Sequence, residues 1–328
     1  MSMSEASAVL GWSRMTLLIA CFAGAAYLDN RDRRIPNSYW ITWSKSAVLI
    51  WTLDLLIRGA DWATLCTAAA VLAYGSTALI GTPTLEDLKA GSFVDWTVTT
   101  WYAVGALGIA AGTLMHGSGD ITAMLFPEQG SQAALWVETL LVLPVMFIIR
   151  IAWRFRLIHG GADAKALLLV AVLMPNWATF QPLWGEPFMP PVFSLLVWGG
   201  LGFILLPLYL LIRNGQDGNL NSGTDLRMAW HATKMPLDEI PDRFVWLLDE
   251  VADLPSGERG IISRMKPPSR TPTPEVLNAQ LDELAEAGAE EAWVTQKYPL
   301  LTYIFPGTFL LLIFGDPMSW ILGIIGLA

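Results

Sequence analysis

Two short segments place acidic side chains beside long apolar runs. One reads Tyr27-Leu28-Asp29-Asn30-Arg31-Asp32-Arg33-Arg34-Ile35-Pro36-Asn37, the other His159-Gly160-Gly161-Ala162-Asp163-Ala164-Lys165. An ionisable group near membrane depth is expensive and is a functional candidate by default. Each acid alone has a structural explanation. Asp29 would be a helix-end residue paired with Arg33, and Asp163 a first-turn acid complementing a helix dipole. Together, two carboxyls on different helices and at one depth suit the chemistry of an aspartic protease. One, ionised, deprotonates water; the other, protonated, polarises the scissile carbonyl. Close carboxyls split their titrations, because both cannot easily be charged.

The elements that would hold these residues are long and apolar. The chain has 328 residues, 54% of them hydrophobic and 15% charged, with a mean hydropathy of +0.46. Soluble domains carry about 25% charged residues. A disordered chain, a collagen, a coiled coil and an ordinary cytosolic enzyme are thereby excluded. Runs at about 10–29, 38–57, 62–81, 93–115, 133–153, 164–181, 190–212 and 300–327 each approach the ~20 residues that cross a bilayer. Many of the 16 Trp lie near their ends, as in an interfacial belt. The expected fold is an all-α polytopic membrane protein of about eight transmembrane helices. Pro175 and Asn176 interrupt the sixth run; Pro306, Gly315, Asp316 and Pro317 interrupt the last.

One long polar stretch, 214–298, holds eight Lys and Arg against fifteen Asp and Glu, most of the net charge of −9. Phe244, Val245, Trp246, Leu247 and Leu248 give it enough apolar surface for a small domain. Residues 274–293 read as an amphipathic helix with Val276, Leu277, Leu281 and Leu284 on one face. The chain then divides into 1–59 (the first two membrane helices and the first acidic motif), 60–153 (variable membrane helices), 154–213 (helices with the second motif), the acidic domain 214–298 and a last membrane helix, 299–328. The negative charge argues against a nucleic-acid partner. Cys21 and Cys66 form no CxxC pair and only three His occur, so neither a metal nor a cofactor is expected.

Lys and Arg in short loops set the sidedness. Arg31, Arg33 and Arg34 follow the first run, and Arg150, Arg154 and Arg156 follow the fifth. Both loops, both aspartates and the acidic domain then face the cytoplasm across the cell membrane. Arg14 and Arg58 are exceptions. Gly117-Ser118-Gly119-Asp120 competes with the second motif, but it falls on the outer side, across the ~30 Å hydrocarbon core from Asp29. A polar turn accounts for it. Lys45, Asp54 and Glu138 lie within or near spans, where they line an aqueous cleft or pair with one another.

The segment Asp29-Asn30-Arg31-Asp32-Arg33-Arg34-Ile35-Pro36-Asn37 has the form D-x-x-x-R-x-I-P-N. Gly160-Gly161-Ala162-Asp163-Ala164-Lys165 is a variant of G-x-G-D-x-K. In this order and on one face, the two resemble the type IV prepilin peptidases, most closely the archaeal preflagellin (prearchaellin) peptidases. EEAWVTQKYPLL, before the last run, adds to the likeness; 60–150 adds little. The resemblance implies that Asp29 and Asp163 are the catalytic pair. It makes Arg33, Pro36, Asn37, Gly160, Gly161, Ala162 and Lys165 supporting motif residues. Gly160 and Gly161 would let the backbone turn and approach an extended substrate, and Pro36 would help stop helix beyond the first span. Ala162 stands where the motif has its second glycine. The family's core has six membrane helices with the second aspartate on the fourth; here it opens the sixth, which implies an inserted pair within 62–153.

The implied substrate is an archaellin or pilin-like precursor, cut at the cytoplasmic face just after a short cationic leader, without metal or organic cofactor. The four-cysteine zinc segment of the methylating bacterial relatives is absent, so cleavage without methylation is expected. From helix dipoles alone, Asp163 at a helix start would be the ionised base and Asp29 at a helix end the acid. A presenilin-like or signal-peptide-peptidase-like protease is a rival, although the Tyr-Asp pair and the Pro-Ala-Leu signature are missing. An ion-coupled transporter using Asp29, Asp163 and Lys45 is a second rival, and an inactive assembly protein that binds pilin-like helices a third.

Overall fold

The computed structural model describes residues 3–117, 127–158, 160–180, 182, 189–253, 259–268 and 272–326. Asp120, the competing acid, and His159 lie outside the described residues. In chain order the helices are α1 (Met3–Asp32), α2 (Asn37–Ile57), α3 (Trp62–Ile80), α4 (Leu85–Lys89), α5 (Phe93–His116), α6 (Gln132–Arg154), α7 (Gly161–Leu173), α8 (Pro191–Gln216), α9 (Gly223–Met228), α10 (Pro274–Glu286), α11 (Leu300–Phe314) and α12 (Pro317–Ile324). They belong to two units. One comprises Met1–Gly199 with Pro299–Ala328, the other Gly200–Tyr298.

Helices occupy all eight apolar runs, in the mostly helical pattern of a polytopic membrane protein. Among the described residues six are long and apolar enough to cross a membrane: α1, α2, α3, α5, α6 and α8. A seventh span results if α11 and α12 are one span bent by 64°. Eight are not reached, because α7 has only 13 residues. At 1.5 Å per residue it is about 20 Å long, short of the ~30 Å hydrocarbon core. Its end follows from Pro175, which disfavours helical backbone at the preceding residue. Met174 accordingly sits at φ −128, ψ 70. From Ala166 to Leu173 every residue of α7 is buried. A helix apolar all round belongs in a core, and α1, α2, α3 and α6 pack on it.

Close backbone approach joins α3 to α5. A Cβ on Gly105 would lie 2.4 Å from the Ala70 Cβ, and one on Gly108 2.3 Å from the Thr67 nitrogen. Gly112 makes room for Trp136 of α6, whose indole N–H donates to the Thr67 hydroxyl at 3.1 Å. Small residues at such crossings let membrane helices pack by van der Waals contact where no hydrophobic drive separates protein from lipid.

The two arginines that break the sidedness pattern are paired inside this unit. Arg14 of α1 is fully buried, lies 3.0 Å from the Asp54 carboxylate of α2, and donates to the Leu173 carbonyl at the end of α7. Arg58 bridges Asp54 at 4.0 Å and Glu138 of α6 at 2.7 Å, and the Asn176 amide donates to Glu138 at 2.9 Å. Asp54 and Glu138 are thus joined through Arg58.

The unit Gly200–Tyr298 departs from an all-α description. β1 (Thr233–Pro236), β2 (Val245–Leu247) and β5 (Glu291–Gln296) form an antiparallel sheet in the order β1-β5-β2, and β3 (Asp249–Asp253) pairs with β4 (Arg259–Ser263). The expected helix over 274–293 stops at Glu286. Gly288 takes φ +86, a left-handed conformation that ends helices, and the alternating segment after it becomes β5. Leu281 and Leu284 are buried and Leu277 packs beside them, but Val276 is exposed, so the apolar face is narrower than the sequence suggests. Trp293 and Val294 send their side chains into two separate clusters.

Candidate functional site

Asp29 lies on the last turn of α1. Arg33 ends that helix at φ +54 while its N–H still bonds the Asp29 carbonyl at 3.1 Å. Left-handed backbone at a non-glycine residue is worth of order 1 kcal/mol of strain. Pro36, at φ −67 and ψ 150, is the N-cap of α2 rather than the residue that stops α1. Its fixed φ suits a helix start, and the turn between α1 and α2 is held to four residues. The half-buried Asp29 carboxylate lies near the Leu301 backbone N–H at the start of α11, and the charge of Arg33 acts on it. Free N–H groups of a first helical turn are natural partners for an anion.

Asp163 is the third residue of α7, whose N-cap is Gly160. Its carboxylate turns back over Gly160, close to the backbone of that N-cap residue. Gly160 holds φ −90 and ψ 130, which any residue adopts. Its glycine is required for space: a Cβ there would lie 2.3 Å from Asp163 Oδ2. The expectation of a flexible glycine turn is therefore replaced by one of steric room. A Cβ on Gly161 would meet the Trp153 ring at 3.3 Å. Ala162 packs against the core of the helical unit.

The two aspartates are close enough for their charges to act on each other. Burial first, and the Asp29 charge second, push Asp163 up to about 7, against the lowering influence of the Gly160 N–H. For Asp163 this runs against the ionised role that its helix dipole alone suggests. The dipole argument considered each aspartate on its own helix; it omitted the burial of Asp163 and the α11 terminus facing Asp29.

The two motifs are also joined directly. Lys165 Nζ donates to Asn37 Oδ1 at 2.6 Å, and Asn37 Nδ2 donates to the Leu79 carbonyl at 3.3 Å. One amide therefore links α2, α7 and the end of α3. Burial holds the Lys165 amine below the ordinary lysine range. Asp32 turns to Arg31 instead, in an exposed pair at 2.6 Å. Leu301 and Leu79 take part through backbone atoms, which no residue-type pattern marks, although the EEAWVTQKYPLL segment had pointed to the start of α11. Asp54 and Glu138 belong to the Arg14–Arg58 network. Asp54 lies 25 positions along the chain from Asp29, at the far end of α2.

Among the described residues no three His, Cys, Asp or Glu side chains converge as metal ligands. The arrangement supplies two interacting carboxyls, one of them held well above the ordinary aspartate range, and a hydrogen bond between the two motifs. Neither a scan against protein-family models nor a search of curated proteins finds a match for the chain.

Proposed function

We propose that the protein is a membrane-embedded aspartic endopeptidase that removes the short cationic leader from archaellin or type IV pilin-like precursors. The observation that carries this reading is the meeting of the two motifs: Asp163 lies within electrostatic reach of Asp29, and Lys165 bonds Asn37. The motif resemblance supplies the substrate class, and the proposed location is the cytoplasmic face of the cell membrane.

In the proposed reaction Asp163 holds the shared proton and donates it toward the scissile carbonyl oxygen. Asp29, backed by the Leu301 N–H and Arg33, is the ionised partner that takes a proton from water. The resulting hydroxide attacks the carbonyl carbon to give a geminal diol; as it collapses the C–N bond breaks, the proton gained by Asp29 passes to the leaving amine, and a diol hydroxyl returns a proton to Asp163. The pair titrates as a unit. Gly160 leaves room for the Asp163 carboxyl, and the Lys165–Asn37 bond keeps the two motifs in register.

The test is a leader-cleavage assay in membranes with an archaeal preflagellin or prepilin, read by product mass. Wild type is compared with Asp29→Ala, Asp163→Ala and Asp120→Ala. The first two should be inactive and the third active. Cleavage that survives loss of Asp163 places the active site elsewhere; a folded wild type that cuts no pilin-like precursor favours the transporter or scaffold alternatives.

A further inference from the structure

The helical unit contains a cavity of about 620 Å³ between α2, α3, α5 and α7. Its wall is almost entirely aliphatic and aromatic, including Leu49, Gly75, Trp101 and Leu169. Lys45 and Lys165 are the ionisable groups on it, and no Asp or Glu lines it among the described residues. The volume falls within the ~300–1,000 Å³ of small-molecule sites, which are apolar with a few polar groups at defined points.

Lys45 lies eight residues into α2, about 12 Å along the helix at 1.5 Å per residue. An amine at that depth in a spanning helix needs an anion or a route to water. Among the described residues Lys45 makes no hydrogen bond or ion pair, whereas Arg14 and Arg58 are bound to acids and Arg150, within α6, donates to the Thr77 hydroxyl and lies over the Tyr74 ring. Lys165 gives one bond to Asn37. An ammonium carries three donors, so others remain to meet a ligand.

We propose that this cavity binds an anionic membrane lipid. Its hydrocarbon chain fills the apolar volume between α2, α3, α5 and α7, and its phosphate lies between Lys45 and Lys165. Charge complementarity selects this occupant. Two amines without a compensating acid attract a phosphate and repel a segment flanked by cationic residues. The apolar walls require a chain, which a free phosphate lacks. Lys165 also belongs to the clasp with Asn37, so the lipid headgroup contacts the element that sets the position of Asp163.

The test uses the full chain in nanodiscs of phosphatidylcholine with and without phosphatidylglycerol, and native mass spectrometry after release counts retained lipid. Its readout is binding, so it stands whether or not the protein cleaves a precursor. Wild type should retain one phosphatidylglycerol in preference to phosphatidylcholine. Lys45→Gln, which removes the charge, and Leu49→Trp, which fills the cavity, should each lower its occupancy about tenfold. Lys45→Arg should retain it. Unchanged thermal melting in phosphatidylcholine identifies folded variants, and either folded variant decides the matter. Retention of phosphatidylglycerol by either folded variant overturns the proposal. So does displacement by glycerol phosphate, which has the headgroup without the chain and would mark a plain phosphate site. Displacement by a peptide of a precursor's apolar helix would assign the cavity to protein and overturns it too.

Discussion

The Asn37 side chain accepts a 2.6 Å hydrogen bond from Lys165 across 128 positions of the chain, and donates to Leu79. It thereby ties the turn after α1 to the first turns of α7. If this bond positions the aspartates, its two members act as one unit. Lys165→Met and Asn37→Ala should each reduce kcat, and the double variant should be no worse than the poorer single one. A coupling of about 0.5–3 kcal/mol is expected for directly bonded residues. Simple additivity in initial cleavage rates would remove the clasp from the mechanism.

The proposed division of roles predicts a pH dependence with a definite sign. Asp163 is held near 7 by burial and by Asp29. Cleavage that needs it protonated should fall as pH rises through about 7. The same shift affects stability. An unfolded aspartate loses its proton near 3.9, so between about 4 and 7 the folded state binds the extra proton and stability declines with rising pH. Asp163→Asn should therefore melt higher than wild type at pH 8, by about 2 °C or more, with little difference at pH 4. Equal melting temperatures at pH 8 would show that Asp163 is not held protonated.

Removing either carboxyl bears on catalysis directly. Asp29→Asn and Asp163→Asn keep the volume of the side chain and remove its acid–base function, which typically contributes 10²- to 10⁴-fold. Each should lower the single-turnover rate by at least about 100-fold while the protein stays folded and extractable. A loss below tenfold in either would mean that the carboxyl serves structure.

Gly160→Ala separates steric room from backbone freedom. Its dihedral angles suit alanine, but the new methyl would lie 2.3 Å from Asp163 Oδ2. The carboxyl must move, and misplacement by about 1 Å can lower rates roughly 100-fold. The expected result is a folded enzyme with a low kcat and a nearly unchanged KM. Full activity in the alanine variant would show that the carboxyl tolerates displacement.

At the other end of α7, Arg14→Met should destabilise strongly, by about 3–5 kcal/mol, because buried Asp54 loses its 3.0 Å partner and keeps only Arg58 at 4.0 Å. Combining it with Asp54→Leu should recover much of that loss in denaturant titrations of the detergent-solubilised protein. The Leu173 carbonyl would still lack its donor, so about 1–3 kcal/mol should stay lost. A double variant as unstable as Arg14→Met alone would place the role of Arg14 outside this pair.

Much of this architecture is legible in the sequence because the bilayer imposes a length. Each of the eight apolar runs holds helix, and Pro175 with Asn176 marked where α7 fails to become a span. What the runs do not carry is rotation. A membrane helix is apolar on most of its faces, so periodicity says little about which side chains meet across helices. The contacts of Asn37 with Lys165, of Arg14 with Asp54 and of Leu301 with Asp29 could not be read for that reason. Arg14 and Arg58 were visible only as departures from the charge pattern of the loops, and burial with a partner is what explains them. In the polar unit the error was one of period. The residues after Gly288 alternate, and the extended helix over 274–293 overlooked the switch.

The buried guanidinium of Arg14 also bears on how the chain is built. A helix that stops inside the bilayer exposes carbonyls that lipid cannot satisfy. For α7 one such group, the Leu173 carbonyl, is satisfied by a side chain 159 positions earlier. Synthesis runs from the N-terminus, so the donor and its Asp54 counter-ion are in place before the short helix leaves the ribosome. The last turn of α7 thus takes its partner from a side chain that the first two helices already hold.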